Sequence, residues 1–73
     1  METILKNLKS LIGKKLDKNE IICAFEGVND EVIVNKSNNI GYNYVAYVNS
    51  ETSEQYLFMV NNDNVITDVW MVG

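Results

Sequence analysis

The chain has 73 residues, with 10 acidic side chains against 6 lysines, one cysteine, and no histidine, arginine or proline. A chain of this length predicts one domain, residues 1–73, with a modest core, and its single cysteine excludes an internal disulfide and a Cys/His zinc site. The missing histidine and arginine remove Ser-His-Asp triads, Cys-His pairs and arginine clamps on phosphate. We therefore predict a protein that is not an enzyme and that holds no cofactor and no metal.

Charge is unevenly distributed along the chain. All six lysines lie at or before Lys36, and the later residues carry only acids, at Glu51, Glu54, Asp63 and Asp68. An acidic second half is a poor surface for phosphates, which predicts no nucleic-acid partner. No apolar stretch approaches the ~20 residues of a membrane span, and no leader is evident. With the lone thiol, this predicts a cytoplasmic protein with no membrane partner.

The first predicted element is an amphipathic helix at about residues 3–12. Its apolar side chains recur at helical spacing: Ile4, Leu8, Leu11 and Ile12. Gly13 is the predicted terminator, because glycine adopts the left-handed conformation that ends helices. The helix is interpreted as a cover for one face of a sheet.

A second helix is predicted at about residues 18–26, with Asp17 as its N-cap and Gly27 as its end. Its predicted buried stripe consists of Ile21, Ile22 and Phe25. Cys23 lies inside this helix and has no histidine in the chain to activate it. We interpret Cys23 as a small, partly buried apolar residue.

Four strands are predicted after the helices, at about residues 31–35, 42–49, 55–61 and 65–72. They are rich in β-branched and aromatic residues, and short polar turns separate them. Short links between consecutive strands favour an antiparallel meander. The sequence thus predicts an α+β fold in the order ααββββ, with two N-terminal helices packed on one face of a four-stranded antiparallel sheet.

Alternation along the strands predicts that neither face of the sheet is cleanly polar, although two short helices cover only one face. The face that meets the helices is predicted to carry Tyr42, Tyr44, Phe58 and Val69. The other face is predicted to carry Ile66 and a candidate interface made of Tyr47, Leu57, Met59 and Trp70, with Asn43, Gln55 and Asp68 on its rim. Tyr, Trp and Met are enriched at protein interfaces, whereas scattered apolar residues are also normal on a small sheet.

Two stretches together resemble a known family. Residues 11–27 (LIGKKLDKNEIICAFEG) and residues 56–70 (YLFMVNNDNVITDVW) are similar in order to the outer-membrane lipoprotein SmpA/OmlA and β-lactamase-inhibitor-protein-like domains. Those domains have a short helix, a capped second helix ending in Gly, and then an antiparallel meander. The chain departs from them because no Pro follows Gly27, Asp17 replaces Ser or Thr, and no lipoprotein leader is present. The resemblance implies a binding or assembly role for the sheet and supplies no partner or functional residue.

Three functional hypotheses follow from the sequence. The first is a small interaction module that binds a protein partner, or a second copy of itself, through the open sheet face. The second is a small-molecule or peptide binder with a pocket between helices and sheet, lined by Tyr44, Phe58 and Phe25. The third is an acidic inhibitor or immunity-type protein from a mobile element, which mimics a nucleic-acid backbone.

The fourth strand supports the self-association form of the first hypothesis. It has no charge after Asp68 and no proline, which predicts a central strand or an edge strand with little protection. If it is an edge, a homodimer forms either by strand pairing or by packing of Trp70 and Met59 across a two-fold axis.

Overall fold

The computed structural model describes residues 2–38, 40–49 and 51–73, with the side chains of residues 2 and 51–53 left out. Helices α1 (Glu2–Lys9) and α2 (Lys18–Cys23) precede four strands. These are β1 (Val32–Lys36), β2 (Tyr44–Val48), β3 (Glu51–Val60) and β4 (Ile66–Val72). They form an antiparallel sheet in the order β1-β2-β3-β4. The predicted α+β class with two short helices and a four-stranded antiparallel sheet is confirmed.

Both helices are shorter than predicted. After α1 the chain continues in tighter turns, in which Leu11 N donates to Leu8 O at 3.0 Å and Ile12 N to Lys9 O at 3.1 Å. Gly13 then adopts a φ of +95°, the left-handed geometry expected of a terminating glycine. The cap of α2 is as predicted, because the Asp17 side chain accepts a hydrogen bond from Asn19 N at 2.8 Å.

The helices bury one apolar stripe against the sheet. The core contains Ile4, Leu8, Leu11, Ile21, Ala24 and Phe25 from the helical part and Val34, Ala46, Tyr56, Phe58, Ile66 and Val69 from the strands. The prediction was wrong for Ile12 and Ile22, which are 41% and 42% exposed. Ile12 lies beyond the end of α1, where helical spacing no longer sets its direction. Successive side chains of a helix point in directions about 100° apart. Because Ile21 of the six-residue α2 points into the core, its neighbour Ile22 points away from it.

The connection between β2 and β3 is tighter than predicted. We expected a turn over residues 50–53, whereas β3 already begins at Glu51; Ser50 lies outside the described residues. Val48 pairs with Glu51 and Ala46 with Tyr56, so residues 52–55 of β3 lie opposite Tyr47 alone. Residues 52–55 therefore form a wide irregularity within the long strand β3. Their polar composition is equally typical of a loop, so the sequence did not distinguish the two.

The connection between β3 and β4 is the predicted tight turn. The Asn61 carboxamide oxygen accepts hydrogen bonds from Asp63 N at 2.9 Å and Val65 N at 3.0 Å. Asn64 has a φ of +62°, a conformation that asparagine tolerates better than most residues. These bonds add to the backbone bonds of the tip, in which Asn61 N donates to Val65 O and Asn64 N to Asn61 O, both at 3.0 Å.

A bulge at Thr67 reverses part of the predicted face assignment in β4. Met59 pairs with Asp68 but Val60 pairs with Ile66, so Thr67 has no partner position in β3. Ile66 consequently points into the core and is 1% exposed, instead of lying on the far face as predicted. Simple alternation fails here because a bulge adds one residue to a period of two.

The sheet has β1 and β4 at its two edges. Residues 13–16, here called the edge segment, run antiparallel to the start of β4. Gly13 N donates to Ile66 O at 2.8 Å, Ile66 N to Lys14 O at 2.9 Å, and Leu16 N to Asn64 O at 2.8 Å. The fourth strand is therefore an edge, as one of the two predicted alternatives had it, and the link between the helices covers only its first residue, Ile66.

Candidate interaction face

The side chains on the sheet face away from the helices form a surface that we call the open face. They alternate with the buried core residues of the same strands. The open face consists of Ile33, Asn35, Val45, Tyr47, Gln55, Leu57, Met59, Asp68, Trp70 and Val72. Six of the seven predicted interface residues belong to it, and the bulge at Thr67 leaves Asp68 and Trp70 on the predicted side.

A cross-strand row forms the middle of the open face. Asn35 pairs with Val45, Val45 with Leu57, and Leu57 with Trp70. Leu57 is only 6% exposed, although it lies on the side opposite the helices and outside the main core cluster. Its neighbours therefore shield most of its side chain from water, and Leu57 lies beneath the surface that this row presents.

Trp70 contacts an aromatic neighbour that alternation did not predict. The ring of Tyr42 meets the ring of Trp70 edge to face, with centroids 6.5 Å apart and planes at 87°. Tyr42 was expected on the helix side, together with Tyr44. The expectation was wrong because Tyr42 precedes β2, and the period of two does not extend into the irregular residues before a strand.

The polar group predicted for the rim has structural roles. The Asn43 carboxamide oxygen accepts a hydrogen bond from Val60 N at 2.9 Å, and Asn43 N donates to Phe58 O at 2.7 Å. Asp68 is exposed, and its carboxylate accepts a hydrogen bond from Val69 N at 2.9 Å. Asn43 thus joins β2 to β3, whereas Asp68 presents a charge at the border of the open face.

The accessible part of the open face is apolar with an anionic border. Tyr47, Met59 and Trp70 are half-buried, as is Gln55, and Val72 is exposed. The open-face positions include Asp68 but no lysine. A face of this kind offers broad apolar contact together with attraction for a cation.

The second sequence hypothesis placed a pocket at Phe25, Tyr44 and Phe58. Phe25 and Phe58 are buried in the core, and the Phe25 ring packs edge to face against Tyr56 at 5.3 Å. Burial, and secondarily the nearby Glu54 charge, raises the pKa of Tyr56. These side chains are packed against one another as core.

A groove of about 360 Å³ lies instead between the two helices. It is lined by Asn7, Ser10, Leu11, Asn19, Glu20, Cys23, Ala24 and Glu26. The Asn7 amide spans it by donating to Ala24 O at 3.1 Å. Cys23 is exposed there, so its interpretation as partly buried was wrong, because α2 turns Ile21 and Ala24 inward and Cys23 outward.

The described residues contain neither a metal-binding cluster nor a membrane-spanning helix. Within the described part of the chain, no group of three or more His, Cys, Asp or Glu side chains is placed to hold a metal ion. Across those same residues, no helix is long and apolar enough to cross a membrane.

Comparisons with protein-family models, curated proteins and solved structures give no match to this chain. The similarity to SmpA/OmlA and β-lactamase-inhibitor-protein-like domains therefore stays a prediction from the sequence.

Proposed function

We propose that this chain is a small, non-catalytic protein-interaction module that binds a protein partner through the open face. The observation that carries the proposal is the position of Trp70. It is half-buried, held by Tyr42, and set beside Leu57 and Met59 on the face opposite the helices. A tryptophan held in one orientation loses little side-chain entropy on binding, which is why such residues carry a large share of binding energy at interfaces.

The chemistry of the open face specifies the partner. Asp68 gives the border a negative charge, and the chain has no cation after Lys36. Two open faces stacked on each other place two Asp68 carboxylates in one interface without a cation from either face. The fitting partner is therefore a protein with an apolar patch flanked by lysine or arginine. The lone thiol favours a cytoplasmic setting for this interaction.

Selection from a random peptide library displayed on phage tests this function. We expect wild-type protein to enrich peptides that combine apolar residues with lysine or arginine. The variants Trp70→Ser and Met59→Ser remove apolar contact area and should weaken binding of those peptides at least about tenfold. Asp68→Lys should shift the selected peptides toward acidic residues.

The matched control is Ile22→Ser, which removes an apolar side chain that is 42% exposed on α2, on the helical side of the molecule. Peptides that depend on the open face should bind this variant as they bind wild type. If the enriched peptides bind the Trp70→Ser and Met59→Ser variants unchanged, the open face is not the binding surface.

Small-molecule or peptide binding is a second candidate, and the groove between the helices favours it over a site within the core. The groove has a buried apolar floor at Leu11 and Ala24 and carboxylates at Glu20 and Glu26. A volume of about 360 Å³ lies within the usual range of ligand sites. A thermal-shift screen should find a ligand class whose effect is lost in Ala24→Leu, which fills the groove, and is kept in Trp70→Ser.

The acidic-inhibitor hypothesis predicts a different dependence on salt. Mimicry of a nucleic-acid backbone requires binding that weakens steeply as ionic strength rises. Binding through Trp70 and Met59 is mainly apolar and should depend on salt only through Asp68. Peptide affinities measured at low and high salt therefore separate the two functions.

A further inference from the structure

The groove between the helices has two walls, and helical spacing explains both of them. On one wall Asn7, Ser10 and Leu11 come from α1 and the turns that follow it, and on the other Asn19 and Cys23 come from α2. Residues three or four positions apart share one face of a helix. The groove is therefore formed by the packing of the two helical segments and is present before any ligand binds.

Both charged side chains that line the groove are acids, Glu20 and Glu26. The lysines next to lining residues in the sequence, Lys6, Lys9 and Lys18, do not line it. Within the described ranges no hydrogen bond or ion pair uses the Glu20 or Glu26 carboxylate. The groove therefore offers negative charge and unused hydrogen-bond acceptors, which suit a cation with several N–H donors.

The two carboxylates belong to opposite ends of α2. Glu20 is in the first turn of the helix, whereas Glu26 follows its last residue, Cys23, by three positions. At the helical rise the backbones of Glu20 and Glu26 are roughly 9 Å apart. Leu11 and Ala24, each 8% exposed, form the apolar floor of the same groove. A ligand that uses all of these features has two cationic ends and an apolar middle.

We propose that the groove binds a small aliphatic diamine. One ammonium group lies at Glu20, the other at Glu26, and the methylene chain lies over Leu11 and Ala24. The proposal rests on the second candidate function, binding of a small molecule between the helices, and gives its ligand class. Because single ion pairs at exposed carboxylates are weak, binding needs both pairs together with the apolar floor. We expect a dissociation constant on the order of 1 mM or below.

Cys23 provides a direct measurement of occupancy. It is exposed in the groove and is the single cysteine of the chain, so a thiol reagent modifies this position alone. Diaminopentane, the probe, should slow alkylation of Cys23 by iodoacetamide, a neutral reagent, at constant ionic strength. The dependence of the rate on diaminopentane concentration gives the dissociation constant. Pentanediol, which has the same chain without charge, should not slow the reaction.

Charge-neutral variants test the two ends of the groove separately. We expect Glu20→Gln and Glu26→Gln each to weaken diaminopentane binding about threefold to fivefold, and the double variant to weaken it at least about tenfold. Pentylamine, which has one ammonium group, should bind wild type as weakly as diaminopentane binds the single variants. Both glutamates are exposed, so these substitutions leave the core unchanged, and a thermal melt verifies this.

The matched control is Glu31→Gln. It makes the same chemical change at an exposed carboxylate that does not line the groove. If diaminopentane binds in the groove, this variant should be protected as wild type is. Equal weakening by Glu31→Gln and Glu20→Gln would instead mean that diamines are attracted to the acidic chain in general, and it would overturn the proposal.

Three further outcomes would overturn the proposal. They are unchanged alkylation of Cys23 at about 10 mM diaminopentane, equal protection by pentanediol, and full protection of the double variant. A ligand of another class, found by the thermal-shift screen, would then leave the groove as a binding site and refute only the diamine. Trp70→Ser should keep the protection, so failure of the open face to bind peptides would not affect this result.

Discussion

The two edge strands of the sheet, β1 and β4, differ in how their outer backbone groups are used. At β4, Ile66 exchanges hydrogen bonds with residues 13 and 14, and the Asp68 carboxylate accepts from Val69 N. At β1, Val32, Val34 and Lys36 turn their groups outward without such partners in the described ranges. A short link between two helices therefore covers the first residue of one edge strand, whereas no such segment meets the other edge strand in the described ranges.

The two helices also contact the two edge strands in different ways. Helix α1 contacts β4, and α2 contacts β1. The link that pairs with Asn64 and Ile66 joins the two helices, so the cover is anchored by hydrogen bonds at β4. At β1 the six-residue α2 adds packing without a backbone bond to the strand.

The largest expected effect comes from matched isoleucines at the two edges. Ile66 is fully buried beside the edge segment, whereas Ile33 is half-buried on the open face. We expect Ile66→Ala to lower the free energy of unfolding by about 2–5 kcal/mol and Ile66→Val by about 0.5–1.5 kcal/mol. Ile33→Ala should lower it by about 1 kcal/mol or less.

Urea denaturation measures these values. Equal losses for Ile66→Ala and Ile33→Ala would contradict the placement of Ile66 in the core and of Ile33 on the open face.

An intermediate effect is expected when the edge segment is strained. Gly13 has a φ of +95° with open space around it, so Gly13→Ala adds backbone strain without a steric clash. The cost should be on the order of 1–2 kcal/mol. Because Ile66 N donates to Lys14 O, its amide should exchange hydrogen faster in Gly13→Ala.

The control for this experiment is Gly41→Ala. Gly41 has a φ of +108° and also has open surroundings, but it lies in the β1–β2 connection, outside the edge segment that bonds to Ile66. It should cost a similar free energy and leave exchange at Ile66 unchanged. Faster exchange at Ile66 in both variants would mean that the edge segment does not specifically protect β4.

The smallest effect should come from the cap of α2. Asp17 accepts a hydrogen bond from Asn19 N, and Asp17→Ala removes this bond at a cost of about 1 kcal/mol, whereas Asp17→Asn keeps an acceptor and should cost little. Because α2 contacts β1, we expect exchange in β1 to quicken more than exchange in β4. A thermal melt and hydrogen exchange of both variants give the comparison, and equal behaviour of Ala and Asn would refute the role of the cap.

Much of the candidate site was predictable because strands impose a period of two. That period correctly grouped Tyr47, Leu57 and Met59 on one face. It did not reveal that Leu57 is buried, because this depends on neighbours contributed by two other strands. It also did not place Tyr42 against Trp70, because the ring packs from an irregular segment outside the strand.

Most of the helices' inward stripes, the Asp17 cap, the Asn61 turn and the presence of four strands could be predicted from the sequence, because each depends on residues within a few positions of one another. The direction of the Ile66 side chain and the covering of the start of β4 emerge only in the folded chain. Both depend on a bulge at Thr67 and on hydrogen bonds between residues 13–16 and 64–66, which are about fifty positions apart in the chain. Backbone groups make such bonds with any side chain attached, so no local pattern in the sequence records them.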